Sequence, residues 1–424
     1  MDQVASQPTY KNLFAYREFR AIFIAQALSA GGDMLAKVAV SILVFDRTGS
    51  ALLAAAAFAI SYLPGIIGGP FLATIADRAP WRTTLVRCDL ARAALIAIVA
   101  LPHIPLPIAL FLLFAVALLS APFEAARSAL LPTVLPGDTY VLGVTVGNVT
   151  YQLSQVLGFA AGGAIVAALS ARGALLLDAA TFALSAFFLW RYVAKRPAPT
   201  RQHVRTTIWH DTLSGLRLIA GHSVLRRIVL LAWCASAFGF AHEGIAAPFA
   251  EALNRGPATA GLLLASAPLG MVIGGLSLGR FVKPAHRLLA APYLAVTACL
   301  SLVPIGLGLP LVGILFCLMI SGAAMSFMLP INAAFNQMLP SNYRGRAAGV
   351  VIAGLMAGQG LAILLAGALA NRFHPAGVIS LSGAIGTGVT LISLATWPTV
   401  EEITTPITIS QPNEPEIAFS AGTQ

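Results

Sequence analysis

Runs of about twenty apolar residues recur along this chain from end to end, each long enough to cross the roughly 30 Å of hydrocarbon in a bilayer. A backbone facing lipid has to satisfy its hydrogen bonds locally, so such runs must be helices. Barrel strands would be segments of about ten residues with alternating polarity, and no such alternation occurs. The twelve spans read from the sequence are 17–45, 51–75, 83–101, 106–131, 139–168, 173–193, 224–250, 256–282, 288–308, 310–338, 342–372 and 375–397. Apolar residues are 58% of the 424 and charged residues 10%, a balance that no water-exposed surface can carry.

The formal net charge of +10 invites a nucleic-acid partner, and its distribution argues against one. If the N-terminus is cytoplasmic, most of the 26 basic residues gather on that side. Only Arg47, Arg172, Arg255 and Arg372 fall in the opposite loops. Such asymmetry follows the positive-inside rule and predicts both termini in the cytoplasm. The first twenty residues are polar and precede a full-length span, so no signal peptide is predicted. Cys88, Cys234, Cys299 and Cys317 have no paired spacing, which argues against a disulfide framework or a metal site. Scarce lysine beside abundant Arg and Ala points to a bacterial source.

One long polar break divides the spans six and six. The predicted units are an N-terminal six-helix half, 1–193; a cytoplasmic linker with an amphipathic helix, 194–223; a C-terminal six-helix half, 224–397; and a disordered cytoplasmic tail, 398–424. The halves read as repeats. Leu131-Pro132 closes span four as Leu339-Pro340 closes span ten, and Gly65, Gly68 and Gly69 in span two are echoed by Gly270, Gly274 and Gly275 in span eight. Parallel repeats of this kind place a substrate site at their interface near the midplane.

The dipeptide Gly-Lys occurs nowhere, which excludes a P-loop ATPase, and the histidines are scattered, which argues against a membrane-embedded enzyme or a cofactor. Movement of a solute remains, and polar residues inside apolar spans carry the information. Asp33 lies thirteen residues past Arg20, about 20 Å into the bilayer at 1.5 Å per residue. Lys37 follows one turn later, where the two form either a structural ion pair or a coupling and gating element. Glu243, beside His242, is either a titrating group or a fixed partner of Lys37, since a carboxyl in apolar surroundings can hold a proton near neutral pH. Lys37 and His242 are therefore candidates for an ion pair or outer gate, while Asp33 and Glu243 are candidates for proton coupling. Gln26, Asn148, Gln152, Gln155, Asn332, Asn336 and Gln359 are the candidate cavity residues, and some of them serve interhelical hydrogen bonds instead.

Ala76-Asp77-Arg78-Ala79-Pro80-Trp81-Arg82, after span two, resembles the signature between spans two and three of the major facilitator superfamily, with Ala73 where the signature has Gly. Three further stretches resemble its branch of macrolide-efflux proteins and enterobactin exporters: Leu28 to Asp33, Pro122 to Pro132, and Leu177 to Phe182. Phe159 stands where drug/proton antiporters of the family carry Pro. The resemblance implies an all-α membrane protein of two pseudo-symmetric six-helix halves. It also implies an inner gate in which Asp77, Arg78, Arg82 and Arg127 take part, Asp77 pairing with Arg127 and with the start of span eleven.

The resulting expectation is a monomeric carrier in a bacterial cell membrane that exports small apolar organic compounds, such as antibiotics, in exchange for protons. Its partners would be the small-molecule substrate, protons and the lipid bilayer, with no cofactor and no nucleic acid. An importer or uniporter on the same fold is the first alternative, and a non-transporting sensor or scaffold the second.

Overall fold

The structure, a computed structural model, describes residues 9–64, 79–197 and 208–405. These residues form helices and turns with no strand among them, the all-α class expected of a bilayer-spanning chain. Nine helical stretches among them are long and apolar enough to cross a membrane. Asp138–Tyr192 is one of the nine and is two helices in fact, since Ser170 breaks it at φ 72°, ψ 165°. The Ser170 hydroxyl accepts from the Gly173 amide and starts the second arm. Ala51–Tyr62 is shorter, and Trp81–Val99 carries Arg82, Arg87, Asp89 and Arg92 among its apolar residues. The predicted count of twelve is thus met in part by the described residues.

In chain order the helices are α1 (Tyr10–Leu13), α2 (Arg17–Thr48), α3 (Ala51–Ala59), α4 (Trp81–Val99), α5 (Leu106–Leu118), α6 (Ser120–Val134), α7 (Asp138–Tyr192) and α8 (Ile208–Gly221). There follow α9 (Ser223–Phe240), α10 (Ala246–Ala252), α11 (Pro257–Phe281), α12 (Pro284–Leu300), α13 (Leu311–Ala324), α14 (Met328–Met338), α15 (Ser341–Ala370), α16 (Pro375–Ala395) and α17 (Val400–Thr404). α17 corrects the reading of 398–424 as disordered from its start. Thr399 and Glu402 form a capping box, and Ile403 is fully buried, so an apolar anchor and a cap order this stretch.

Packing differs between the two ends of the bundle. At the end holding the α2–α3 turn, called here the far face, one hydrophobic core joins both helix groups, with Val38, Ala39, Ala55 and Phe58 packed together with Ile245, Phe249, Leu263 and Ile363. Toward the terminal face, which carries α1, α8 and α17, the core splits. One part gathers Leu13, Phe19, Leu85, Phe123 and Leu135; the other gathers Ile219, Leu225, Ile228, Phe335 and Ile403. Small residues permit the far-face contact. A methyl group on Gly163 of α7 would lie 2.8 Å from the Gly261 Cα of α11, so only glycine lets these backbones approach.

The far face is also tied by hydrogen bonds. Gly49 ends α2 in the left-handed conformation at φ 63°, and Ser50 caps α3 through the Leu53 amide. Asn371, at the end of α15, supplies a second acceptor to the same helix start, 2.7 Å from the Ala51 amide and 3.3 Å from that of Leu52.

Candidate functional site

A cavity of about 460 Å³ lies inside the first helix group. α2 lines it with Gln26, Ser29, Asp33 and Lys37; α3 and its 3₁₀ extension with Ala57, Ile60 and Ser61; α4 with Arg92 and Ile96. α5 and α6 add Leu113, Phe123, Glu124 and Arg127, and α7 adds Asn148, Tyr151 and Asp178. The size suits a small organic molecule. Among the described residues, none of the second helix group lines it.

Helical spacing explains the α2 contribution, because Gln26, Ser29 or Ala30, Asp33 and Lys37 recur every three or four residues and so share one stripe. Asp33 is partly exposed to the cavity and makes no hydrogen bond among the described residues. It forms no direct ion pair with Lys37. The Lys37 ammonium sits instead over the rings of Phe58 and Tyr62, 5.6 Å from each centroid, since two aromatic faces stabilise a cation where water is scarce.

Tyr62 then connects the groups, donating its hydroxyl to Glu243 Oε2 at 2.8 Å. Glu243 and His242 occupy a 3₁₀ turn, Ala241–Ile245, which interrupts the helix between α9 and α10 and turns both side chains inward. Both are buried, at 6% and 3% exposure. His242 Nδ1 meets the Gly239 carbonyl at 2.9 Å, while Nε2 has no partner among the described residues. Tyr62 therefore touches both groups, its ring lying under the Lys37 ammonium and its hydroxyl on Glu243.

Below this level the cavity rim carries Arg127, which pairs with Glu124 at 2.6 Å and donates to Gln26 Oε1 at 3.0 Å. The Gln26 amide in turn donates to the Gly147 carbonyl at 3.1 Å. The expected pairing of Arg127 with Asp77 falls outside the described residues, as do Asp77 and Arg78 themselves. Arg82 donates to the Trp190 carbonyl, joining the start of α4 to the end of α7.

The other cavity candidates divide. Gln26 and Asn148 line the cavity, whereas Gln152, Gln155, Asn332, Asn336 and Gln359 do not. Asn336 donates to the carbonyl and to the side chain of Asn332, both exposed, so this pair satisfies itself on α14. The cavity is strongly polar on one side, because Asp33, Lys37, Arg92, Glu124 and Arg127 all line it.

A charged group that the sequence analysis does not single out is built into the cavity wall. Asp89 and Asp178 are both fully buried, and Arg92 is 2% exposed. Arg92 reaches Asp89 at 3.6 Å and the Ser29 hydroxyl at 3.4 Å, between the rings of Phe123 and Phe182 at 5.1 and 5.2 Å. The Ser185 hydroxyl donates to Asp89. The signals were present: an (i, i+3) acid–base pair inside an apolar helix, and the Asp178-to-Phe182 segment.

Comparison with known proteins gives a consistent picture. A family model described as Major Facilitator Superfamily matches residues 22–354. The chain is 25% identical over 357 residues to the uncharacterised MFS-type transporter YfiS of Bacillus subtilis, covering 81% of this chain and 84% of that one. It is 25% identical over 368 residues to the multidrug efflux pump Tap of Mycolicibacterium fortuitum, covering 82% and 88%. Among solved structures, a bacterial homologue of the human lysosomal transporter Spinster, inward-facing and unoccupied, superposes with TM-score 0.68 at 14% identity over 92% of this chain and 96% of that one. A POT family transporter in complex with a thioalcohol-conjugated peptide gives TM-score 0.71 at 12% identity, covering 92% and 97%. These two likenesses concern the fold.

Proposed function

Because the chain belongs to the Major Facilitator Superfamily and is therefore a membrane transporter rather than an enzyme, we propose that it exports small organic compounds in exchange for protons. The compounds would combine an apolar body with a polar or charged group. The observation that carries this reading is the confined cavity in which Asp33, without a hydrogen-bond partner among the described residues, faces a solute-sized space beside Lys37. The multidrug efflux relative supports the outward direction.

Transport proceeds by alternating access. With the terminal face cytoplasmic, as the distribution of basic residues favours, the split core at that face and the joined core at the far face support reading this as an inward-open state. Substrate enters from the cytoplasm, past Arg127 and Gln26. Outward opening parts the far face and breaks the Tyr62–Glu243 and Asn371–Ala51 hydrogen bonds. Inward closing frees Arg127 from Glu124 and Gln26 to pair with Asp77 at the inner gate, to which Arg78 and Arg82 also belong. Asp33 and Glu243, one in each helix group, are the proton carriers, and Lys37 with His242 forms the outer gate between them.

The test uses proteoliposomes with an imposed pH gradient and a fluorescent amphiphilic dye. Asp33→Asn or Glu243→Gln should abolish gradient-driven accumulation and leave dye exchange partly intact. If both variants accumulate dye at full strength, proton coupling through these groups is wrong and a uniporter is the better account.

A further inference from the structure

Buried charge on the wall of the cavity does not balance. Asp33, Asp89 and Asp178 are served by Arg92, which acts electrostatically on all three, and by Lys37, which acts on Asp33 from one helical turn away. Asp89 takes the Ser185 hydroxyl on Oδ2, while its Oδ1 has no hydrogen bond among the described residues but faces the Arg92 guanidinium at 3.6 Å. Asp178 has only the Thr181 hydroxyl near one oxygen, at 3.2 Å, and its Oδ2 is fully buried without a partner among the described residues. On the rim, Glu124 and Arg127 neutralise each other. Three carboxyls therefore face two cations in a space where an unpaired charge is costly.

Asp178 does not stand apart from Asp33. Its carboxyl lies directly against the α2 backbone at Gly32, where any Cβ would collide with Asp178 Oδ1 and the Thr181 hydroxyl. Gly32 immediately precedes Asp33, so the absence of a side chain brings the second arm of α7 onto α2 at that level. Both aspartates line the same cavity. His, Cys, Asp and Glu side chains nowhere gather in threes suited to a metal ion among the described residues, so the surplus acid is not the beginning of a metal site.

We propose that Asp33 and Asp178 share a single proton, with Arg92 as the fixed counter-ion, so that the coupling proton belongs to the pair. This rests on the proton-exchange reading above and names the second half of its site. In the loaded state one carboxyl carries the O–H and donates it toward the other. On release the O–H bond breaks, the proton passes to water in the cavity, and both aspartates are carboxylates. The cation placed to answer the added negative charge is Lys37, which must leave the Phe58 and Tyr62 rings to do so. Proton release at the pair thereby loosens the ring that donates to Glu243, and the far face is linked to the cavity.

The experiment is pH-titrated infrared difference spectroscopy on the full chain in lipid nanodiscs, in a Glu243→Gln background that removes the other candidate carrier. A titrating band from a protonated carboxyl is expected in that background. Adding Asp178→Asn or Asp33→Asn should each abolish it, because either leaves two carboxyls against two cations. Persistence of the band after Asp178→Asn, or its absence from the background protein, overturns the proposal. Gly32→Ala changes no titrating group but displaces the Asp178 carboxyl, and should move the midpoint by about one pH unit, tenfold in the proton equilibrium. An unchanged midpoint also overturns it. No transport is measured here, so a dye that fails to accumulate would count against the export reading alone.

Discussion

The two helix groups solve the problem of filling a bundle in different ways. The first holds its charges inside: Asp33, Lys37, Asp89, Arg92, Arg127 and Asp178 all lie on or behind one cavity. The second is packed backbone to backbone. In α11 and α13, side chains on Gly270, Gly274 and Gly322 would collide with the carbonyls of Met319, Ala323 and Ala267 respectively. Its buried ionisable pair, His242 and Glu243, occupies a 3₁₀ turn at the boundary with the first group. The two helix groups are thus put to unlike uses, one as the charged apparatus and the other as a close-packed frame for it.

The sharpest way to break that contrast is Arg92→Leu. It strands Asp89 without a cation in the interior, at a cost of roughly 3–5 kcal/mol. Thermal unfolding in detergent should show a large loss, and an unchanged melting point would mean that the buried charges are incidental. Gly322→Ala probes the frame. Its methyl group meets the Ala267 carbonyl, and overpacking of this kind costs about 1–3 kcal/mol. Less protein should survive, yet turnover per folded molecule should match the parent; a selective loss of turnover would make the second group more than a frame.

Tyr62→Phe tests the boundary between the two groups. Losing the hydrogen bond to Glu243 should favour parting of the far face by about 1.5–3 kcal/mol. Spin labels on the 48–51 and 254–257 turns should report a longer distance population, and an unaltered distribution would show that Tyr62 does not hold this face. The smallest effect is expected from Asn332→Ala, below about 0.5 kcal/mol and without change in transport, because Asn332 is exposed and away from the cavity.

Much of this was legible before any coordinates. Long apolar runs dictate helices, and a charge within one, as at Asp33, Lys37 or Glu243, marks a candidate site because its cost demands a reason. What sequence could not supply is which neighbouring helix a polar face meets. Gln26 and Asn148 meet the cavity, while Asn332 and Asn336 share a similar polarity and bond to each other. Asp178 was not singled out, since depth along one helix says nothing of the Gly32 notch it enters from another. Tyr62 was overlooked because a tyrosine in an apolar run looks like ordinary packing until its hydroxyl is seen to reach Glu243.

The acceptor that Asn371 lends to the start of α3 makes that helix terminus a gauge. When the far face parts, the Ala51 and Leu52 amides lose it and must turn to water, while the Leu53 amide keeps Ser50, the cap residue of its own helix. Three consecutive amides on one helix therefore divide into two that respond to the conformational cycle and one that does not. Their hydrogen exchange, read as a ratio, reports the fraction of time the outward path is open, with Leu53 as an internal clock that cancels general fraying. A cap held by one helix group for the other is thus a built-in indicator of the transport cycle, readable without any label or substrate.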